Sequence, residues 1–252
     1  VQVVNGSITI DGNYISSNTD YGVLIQGGTS TLVQNNHITG NGYRACEFNI
    51  GINGGSGITI QNNLIESSEA TGINDNVGSV TITQNTITGS GVNSGGGCTE
   101  LSAIRLLQNN TIITNNVINT SAGAGIVLVG GTTSGNLISQ NSIYANGTSG
   151  QALGIDINGN GVTLNDNGDS DTGPNGSLNF PVFEAVTISG NTLKIVGWSR
   201  PGAIIELFIT DITAGTANLG DNRLGLTQDY GEGQTYFATV VEGSADDNDN
   251  TV

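Results

Sequence analysis

The chain has 252 residues, with 40 Gly, only 3 Pro, and charged residues held to 10%. Twenty-one acidic residues oppose five Lys plus Arg, giving a net charge of −16. That balance excludes nucleic acid and anionic membrane surfaces as partners, since both require cationic side chains, and makes divalent cations the natural counter-ions. The low charge content is not that of a disordered chain, and no apolar run is long enough to span a bilayer, so membrane insertion is not expected.

Six segments share one frame in chain order: ITIDGNYI, TLVQNNHI, ITIQNNLI, VTITQNTI, TIITNNVI and NLISQNSI. Their common Asn is Asn13, Asn36, Asn63, Asn85, Asn116 and Asn141, at spacings of 23, 27, 22, 31 and 25 residues. Two residues after each stands Ile15, Ile38, Ile65, Ile87, Ile118 or Ile143; three before stands Ile10, Val33, Ile60, Ile82, Ile113 or Ile138. A second landmark precedes the later phrases: Gly22-Val23, Gly51-Ile52, Gly72-Ile73, Ala103-Ile104, Gly125-Ile126 and Gly154-Ile155.

A repeat of this length signals a solenoid, because no unit buries its Ile alone and stacked neighbours share one core. Short, β-branched, alternating segments are strands. Each coil is expected to hold two or three strands, stacked on the next at roughly 4.8 Å. The Asn is expected to turn the chain in a left-handed conformation and to join its neighbours in an amide ladder.

The pattern over residues 1–165 resembles the right-handed parallel β-helix repeat of pectate lyases, tailspikes and bacterial surface proteins. The resemblance implies an all-β fold of about seven coils, with a β-helix domain over 1–177. Val1–Val4 aligns with a strand of the repeat, so the parent chain is expected to continue upstream with more coils or a capping domain.

Between coils, long and short connections alternate. Ile38 to Gly51, Ile87 to Ala103 and Ile143 to Gly154 are long; Ile65 to Gly72 and Ile118 to Gly125 are short. All long turns leave one edge of the stack, where insertions in a solenoid commonly form a binding face. Cys46 and Cys98 fall at equivalent places in two of them, two coils apart. Directly stacked they would stand roughly 9.6 Å apart, so a disulfide requires the loops to lean together; the expectation is a Cys46–Cys98 bond, formed in an oxidising setting.

The seventh copy breaks. Val162-Thr163-Leu164 takes the strand position and Asn167 the Asn position, but Asp169 stands where Ile belongs. A lone carboxylate in an apolar core is costly, so the helix ends here. Oxygen-bearing side chains recur at Asn165, Asn167, Asp169 and Asp171, a spacing able to wrap a hard cation. With Asp156 and Asp166 they form the candidate Ca²⁺ ligand set, and the loop is similar to acidic calcium loops of bacterial surface proteins.

After Phe180-Pro181 the repeat vanishes and longer strands appear: TLKIVGW, AIIELFIT and QTYFATVVE. They resemble the immunoglobulin-like module that follows β-helices in large secreted proteins. The resemblance implies a β-sandwich over 178–252, its closing strands lying beyond Val252, with Trp198 as a core anchor.

Catalytic candidates are few. The solenoid has no Lys and only Arg44 and Arg105; with Glu47 and Ca²⁺ these are the groups a polysaccharide lyase or related carbohydrate-active enzyme would use. No paired carboxylates of a hydrolase stand out, there is no His/Cys zinc cluster, and the Gly runs spell corners rather than a phosphate loop. His37 is expected at the surface. An ice-matching Thr array is interrupted by Leu32, Ile112 and Leu137. The reading is a non-catalytic structural or adhesive segment of a large extracellular bacterial surface protein, stabilised by calcium. Its partners are further domains of the same chain and surface glycans or cell-surface proteins; a carbohydrate-active enzyme is the alternative.

Overall fold

A computed structural model describes residues 1–43, 46–92, 97–131, 133–150, 152–210, 232–244 and 247. The first coil holds β1 (Gln2–Val3), β2 (Thr9–Asp11) and β3 (Tyr14–Ser16); the second β4 (Val23–Thr29), β5 (Leu32–Gln34) and β6 (His37–Thr39). The third holds β7 (Ile50–Ser56), β8 (Thr59–Gln61) and β9 (Leu64–Glu66); the fourth β10 (Ile73–Asp75), β11 (Thr81–Thr83) and β12 (Thr86–Thr88). The fifth holds β13 (Ile104–Leu106), β14 (Ile112–Thr114) and β15 (Val117–Asn119); the sixth β16 (Ile126–Leu128), β17 (Leu137–Ser139) and β18 (Ser142–Tyr144). β19 (Ile155–Ile157) opens a seventh coil that does not close: Val162–Leu164 form no strand, so the seventh copy of the phrase contributes only β19.

Three parallel sheets run the length of this solenoid, in the orders β1-β4-β7-β10-β13-β16-β19, β2-β5-β8-β11-β14-β17 and β3-β6-β9-β12-β15-β18. The register stacks Ile15, Ile38, Ile65, Ile87, Ile118 and Ile143 in one column, and Ile10, Val33, Ile60, Ile82, Ile113 and Ile138 in another. These columns and their counterparts on the first sheet fill the interior.

Each coil turns at three corners, and each corner carries a residue with positive φ. At the phrase itself this residue is Gly12, Asn35, Asn62, Gln84, Asn115 or Gln140, one place before the repeated Asn. The expectation that the repeated Asn itself adopts the left-handed conformation is therefore corrected. Its neighbour bends the chain, and the Asn, now past the bend, points its amide inward. Asn36, Asn63, Asn85, Asn116 and Asn141 are all buried, and their amides are spent on a ladder.

Beyond the solenoid the described strands form two antiparallel pairs. β20 (Val182–Ser189) and β21 (Thr192–Trp198) join through a tight turn at Gly190-Asn191, while β22 (Ile204–Ile209) pairs with β23 (Thr235–Val241). Among the described residues these are two separate two-stranded sheets. Trp198 is consequently half-exposed and not the core anchor expected, since a two-stranded ribbon has no opposing layer to bury it.

Candidate functional site

Three features carry polar chemistry: the hydrogen-bonded columns, the outer face of the first sheet beneath the long turns, and the acidic loop that follows β19.

In the main column the interior Asn residues, Asn36, Asn63, Asn85 and Asn116, repeat one set of bonds. Asn85 accepts at Oδ1 from the backbone N and the Nδ2 of Asn63, at 3.0 and 2.9 Å. It donates from its own N and Nδ2 to Asn116 Oδ1, at 2.9 and 3.0 Å, and from Nδ2 to the carbonyls of Ile60 and Thr83. Asn13, Asn36, Asn63 and Asn116 donate onward to the next rung in the same way, ending at Asn141. One side chain thus satisfies the corner of its own coil and of the coil before it, where unpaired backbone groups would be costly.

A second column, which the sequence reading missed, lies five residues further along. Asn18 donates to Asn41 and Asn41 to Asn49. Asn49 donates to Ser68, and Ser121 to Asn146. Ser interrupts the Asn in mid-column and Asn49 comes from a long turn, so the periodic signal was weak. In a third column Thr111 donates to Asn136 Oδ1.

All three columns share a direction: at the last coil they present N–H donors. Acceptors from beyond the solenoid meet the second and third columns and the bend beside the end of the main one. Asn175, in a short 3₁₀ turn at Pro174–Ser177, accepts from Asn136 N at 3.1 Å. Glu206 accepts from Ser139 Oγ and Gln140 N. Glu232, only 5% exposed, accepts from Asn146 N at 3.0 Å and Nδ2 at 2.7 Å. The Gly233 carbonyl takes the N–H of Ile143, where a next strand would pair. The β22–β23 pair is therefore seated on the end of the stack. Beside it lies a cavity of about 950 Å³ lined by Ile138, Leu153, Ile157, Phe180 and Phe208.

Asp75 closes β10. It points inward between Ile52 and Leu106 and is 0% exposed. Its carboxylate accepts from Val77 N and Gly78 N, both at 2.9 Å, and from Thr111 Oγ1 at 2.6 Å. A buried carboxylate is tolerated in this core because its lone pairs are met.

On the outer face of the first sheet the register aligns Gln2, Leu24, Gly51, Asn74, Arg105, Val127 and Asp156. Tyr21 packs against Gly51, where a Cβ would sit 2.4 Å from its ring. Burial, then the Glu47 carboxylate to which the phenol donates, pushes the Tyr21 hydroxyl up to about 12. The long turns lean over the short ones: Gly91 N donates to the Ser68 and Ala70 carbonyls, and Thr148 N to that of Ser121. Cys46 and Cys98 meet across the intervening short turn in a disulfide, with their Cα atoms 5.3 Å apart.

Of the three groups an enzyme would use, Arg44 lies outside the described residues. The Nε of Arg105 lies 2.9 Å from Glu100 Oε2, and its Nη1 donates to Asn74. Glu47 is engaged by Tyr21. His37, on the outer face of the third sheet, sits 2.6 Å from Glu66 Oε1 and edge-on to Tyr14.

In the acidic loop Asp166, Asp169 and Asp171 each bring a carboxylate oxygen within 4.8 Å of the others. Ser170 donates to Asp166 from Oγ and N and holds that carboxyl below the usual range. Asp169 accepts from Asn179 N at 2.8 Å and from Arg200 Nη1 at 2.7 Å. The other expected ligands are placed differently. Asn165 exchanges two hydrogen bonds with the backbone of Phe180, and Asn167 is exposed. Asp156 accepts from Gly161 N in its own turn. Three of the six proposed ligands thus stand together, while Asn165 and Asp156 are committed elsewhere.

Residues 1–103 match the family model described as a right handed beta helix region. The solenoid they build, which continues with the same register to Ile157, is therefore a right-handed parallel β-helix.

Proposed function

We propose that this chain is a non-catalytic structural or adhesive segment of a large extracellular bacterial surface protein. The observation that carries the reading is the continuous hydrogen-bonded Asn column, in which each rung ties two coils together from Asn13 to Asn141. Such a column makes a stiff spacer. The disulfide over the long turns suits an oxidising compartment. Further domains of the same chain, surface glycans and cell-surface proteins are its partners, met through the face formed by the long turns. Calcium held by Asp166, Asp169 and Asp171 adds stability where the stack ends, by mass action on the folded state.

The alternative, a carbohydrate-active enzyme, draws on one observation: Arg105 and Asn74 lie side by side on the outer face of the first sheet, next to the long turns. Incubation with acidic and neutral polysaccharides separates the two readings. The structural reading expects no new reducing ends or unsaturated sugars; their appearance would overturn it. For calcium, a higher melting temperature in millimolar calcium than in EGTA is expected, and identical curves would remove the ion from the proposal.

A further inference from the structure

The sequence Asn158-Gly159-Asn160-Gly161 follows β19 directly, and Asn158, Gly159 and Asn160 are all exposed. It wraps a carboxylate. Asp156 sits on β19 with 9% exposure, and its Oδ2 accepts a hydrogen bond from Gly161 N at 3.1 Å. Its Oδ1 is sealed from solvent without a hydrogen-bond partner. Burial raises this carboxyl above the ordinary aspartate range, against the opposing pull of the Gly161, Asn160 and Gly159 N–H groups. The Gly161 nitrogen is also the atom that can close a ring onto the side chain of Asn160, since Gly offers no Cβ to hinder the approach.

We propose that Asn160 is a self-modification site, at which Asp156 acts as the general base for cyclisation of the Asn160–Gly161 pair. The Gly161 N–H gives its proton to the Asp156 carboxylate while the nitrogen attacks Asn160 Cγ. The new N–C bond forms, the Cγ–Nδ2 bond breaks, and the proton passes to the departing nitrogen, which leaves as ammonia. Water then adds to either carbonyl of the five-membered imide and opens it to aspartate or isoaspartate. The product adds a second carboxylate to the turn that holds Asp156, and the isoaspartyl form lengthens the backbone just after the last strand of the helix.

Other Asn–Gly pairs serve as internal standards. Asn41–Gly42 and Asn146–Gly147 are protected, because their side chains are buried rungs and their Gly N–H groups donate to the carbonyls of Asn18 and Gly123. Asn5–Gly6 lies in an exposed stretch near the start of the chain.

The test is peptide mapping by mass spectrometry of the full chain aged at neutral pH. Conversion at Asn160 is expected to run about tenfold faster than at Asn5, an effect within the reach of a positioned base, with Asn41 and Asn146 unchanged. Asp156→Asn, confirmed folded by its melting curve, should bring Asn160 down to the rate of Asn5. Should that variant fail to fold, the wild type aged in urea serves instead, where the advantage of Asn160 over Asn5 should vanish. The proposal is overturned by equal rates at Asn160 and Asn5 in the folded chain, by an unchanged rate in folded Asp156→Asn, or by an advantage that survives in urea.

Discussion

Ile87 and Ile188 are the same side chain in two kinds of β-structure. Ile87 lies in the third sheet between Ile65 and Ile118 and is 0% exposed. Ile188 lies on the β20–β21 ribbon and is 77% exposed. The strand of Ile87 spans three residues and that of Ile188 eight, so strand length and β-propensity do not explain the difference. Closure does: three sheets wrapped around one interior give each inward side chain neighbours above, below and across, whereas a two-stranded ribbon offers one flat layer. The solenoid makes its core from repetition, while the C-terminal pairs depend on what they dock against.

Replacing each Ile by Asn breaks this comparison most directly. Ile87→Asn leaves an unpaired amide in the stack and is expected to cost about 4–5 kcal/mol, read from urea denaturation. If the cost is negligible, the column does not face inward in solution. Asn85→Ala comes next, at about 2–3 kcal/mol, because the lost amide strands the N–H of Asn63 and the carbonyl of Ile60. A larger loss for Asn85→Ala than for Ile87→Asn would rank the polar column above the apolar one.

Glu232→Ala tests the docking of the C-terminal pair. It leaves the backbone N–H of Asn146 unmet and takes one acceptor from its Nδ2, and is expected to cost about 2 kcal/mol. The expected sign is faster proteolysis within β22 and β23 while the solenoid stays protected; uniform proteolysis along the chain would mean that the two regions unfold as one. The smallest effect is reserved for Ile188→Asn, expected within about 0.5 kcal/mol of the parent. A large loss there would reveal a partner surface over the ribbon.

The legibility of the chain follows the same division. The Ile and Asn columns could be read because their chemistry recurs at a fixed place in every coil. The bend residue could not: Gly12, Asn35 and Gln84 share a backbone conformation but no side-chain type, whereas the neighbouring Asn is constant. Asp75 carries no local sign of its burial, because its partner, Thr111, lies 36 residues away. Asp169 is legible as the place where the repeat ends, but its pairing with Arg200, 31 residues on, is not. Glu206 reaches the bend residue Gln140 and Glu232 the rung Asn146, 66 and 86 residues earlier, and no local pattern announces such pairings. The candidate ion loop was legible as composition, since alternating oxygens mark it. Which of them converge depends on distant partners such as Phe180, whose backbone takes Asn165 out of the set.

The direction of the polar columns bears on how such a chain changes in descent. A rung receives from one neighbour and gives to the other, so a whole coil copied in tandem arrives with its donors and acceptors already matched. Coil length is free to vary, as rung separations of 22 to 31 residues in one column demonstrate, provided the extra residues leave at a turn. A duplication of part of a coil has no such freedom, because it sets an Ile where an amide belongs and breaks the column at that point. Gene duplication can therefore lengthen this molecule only in whole coils, while the acceptor-bearing segment beyond β19 remains usable at whatever coil happens to be last.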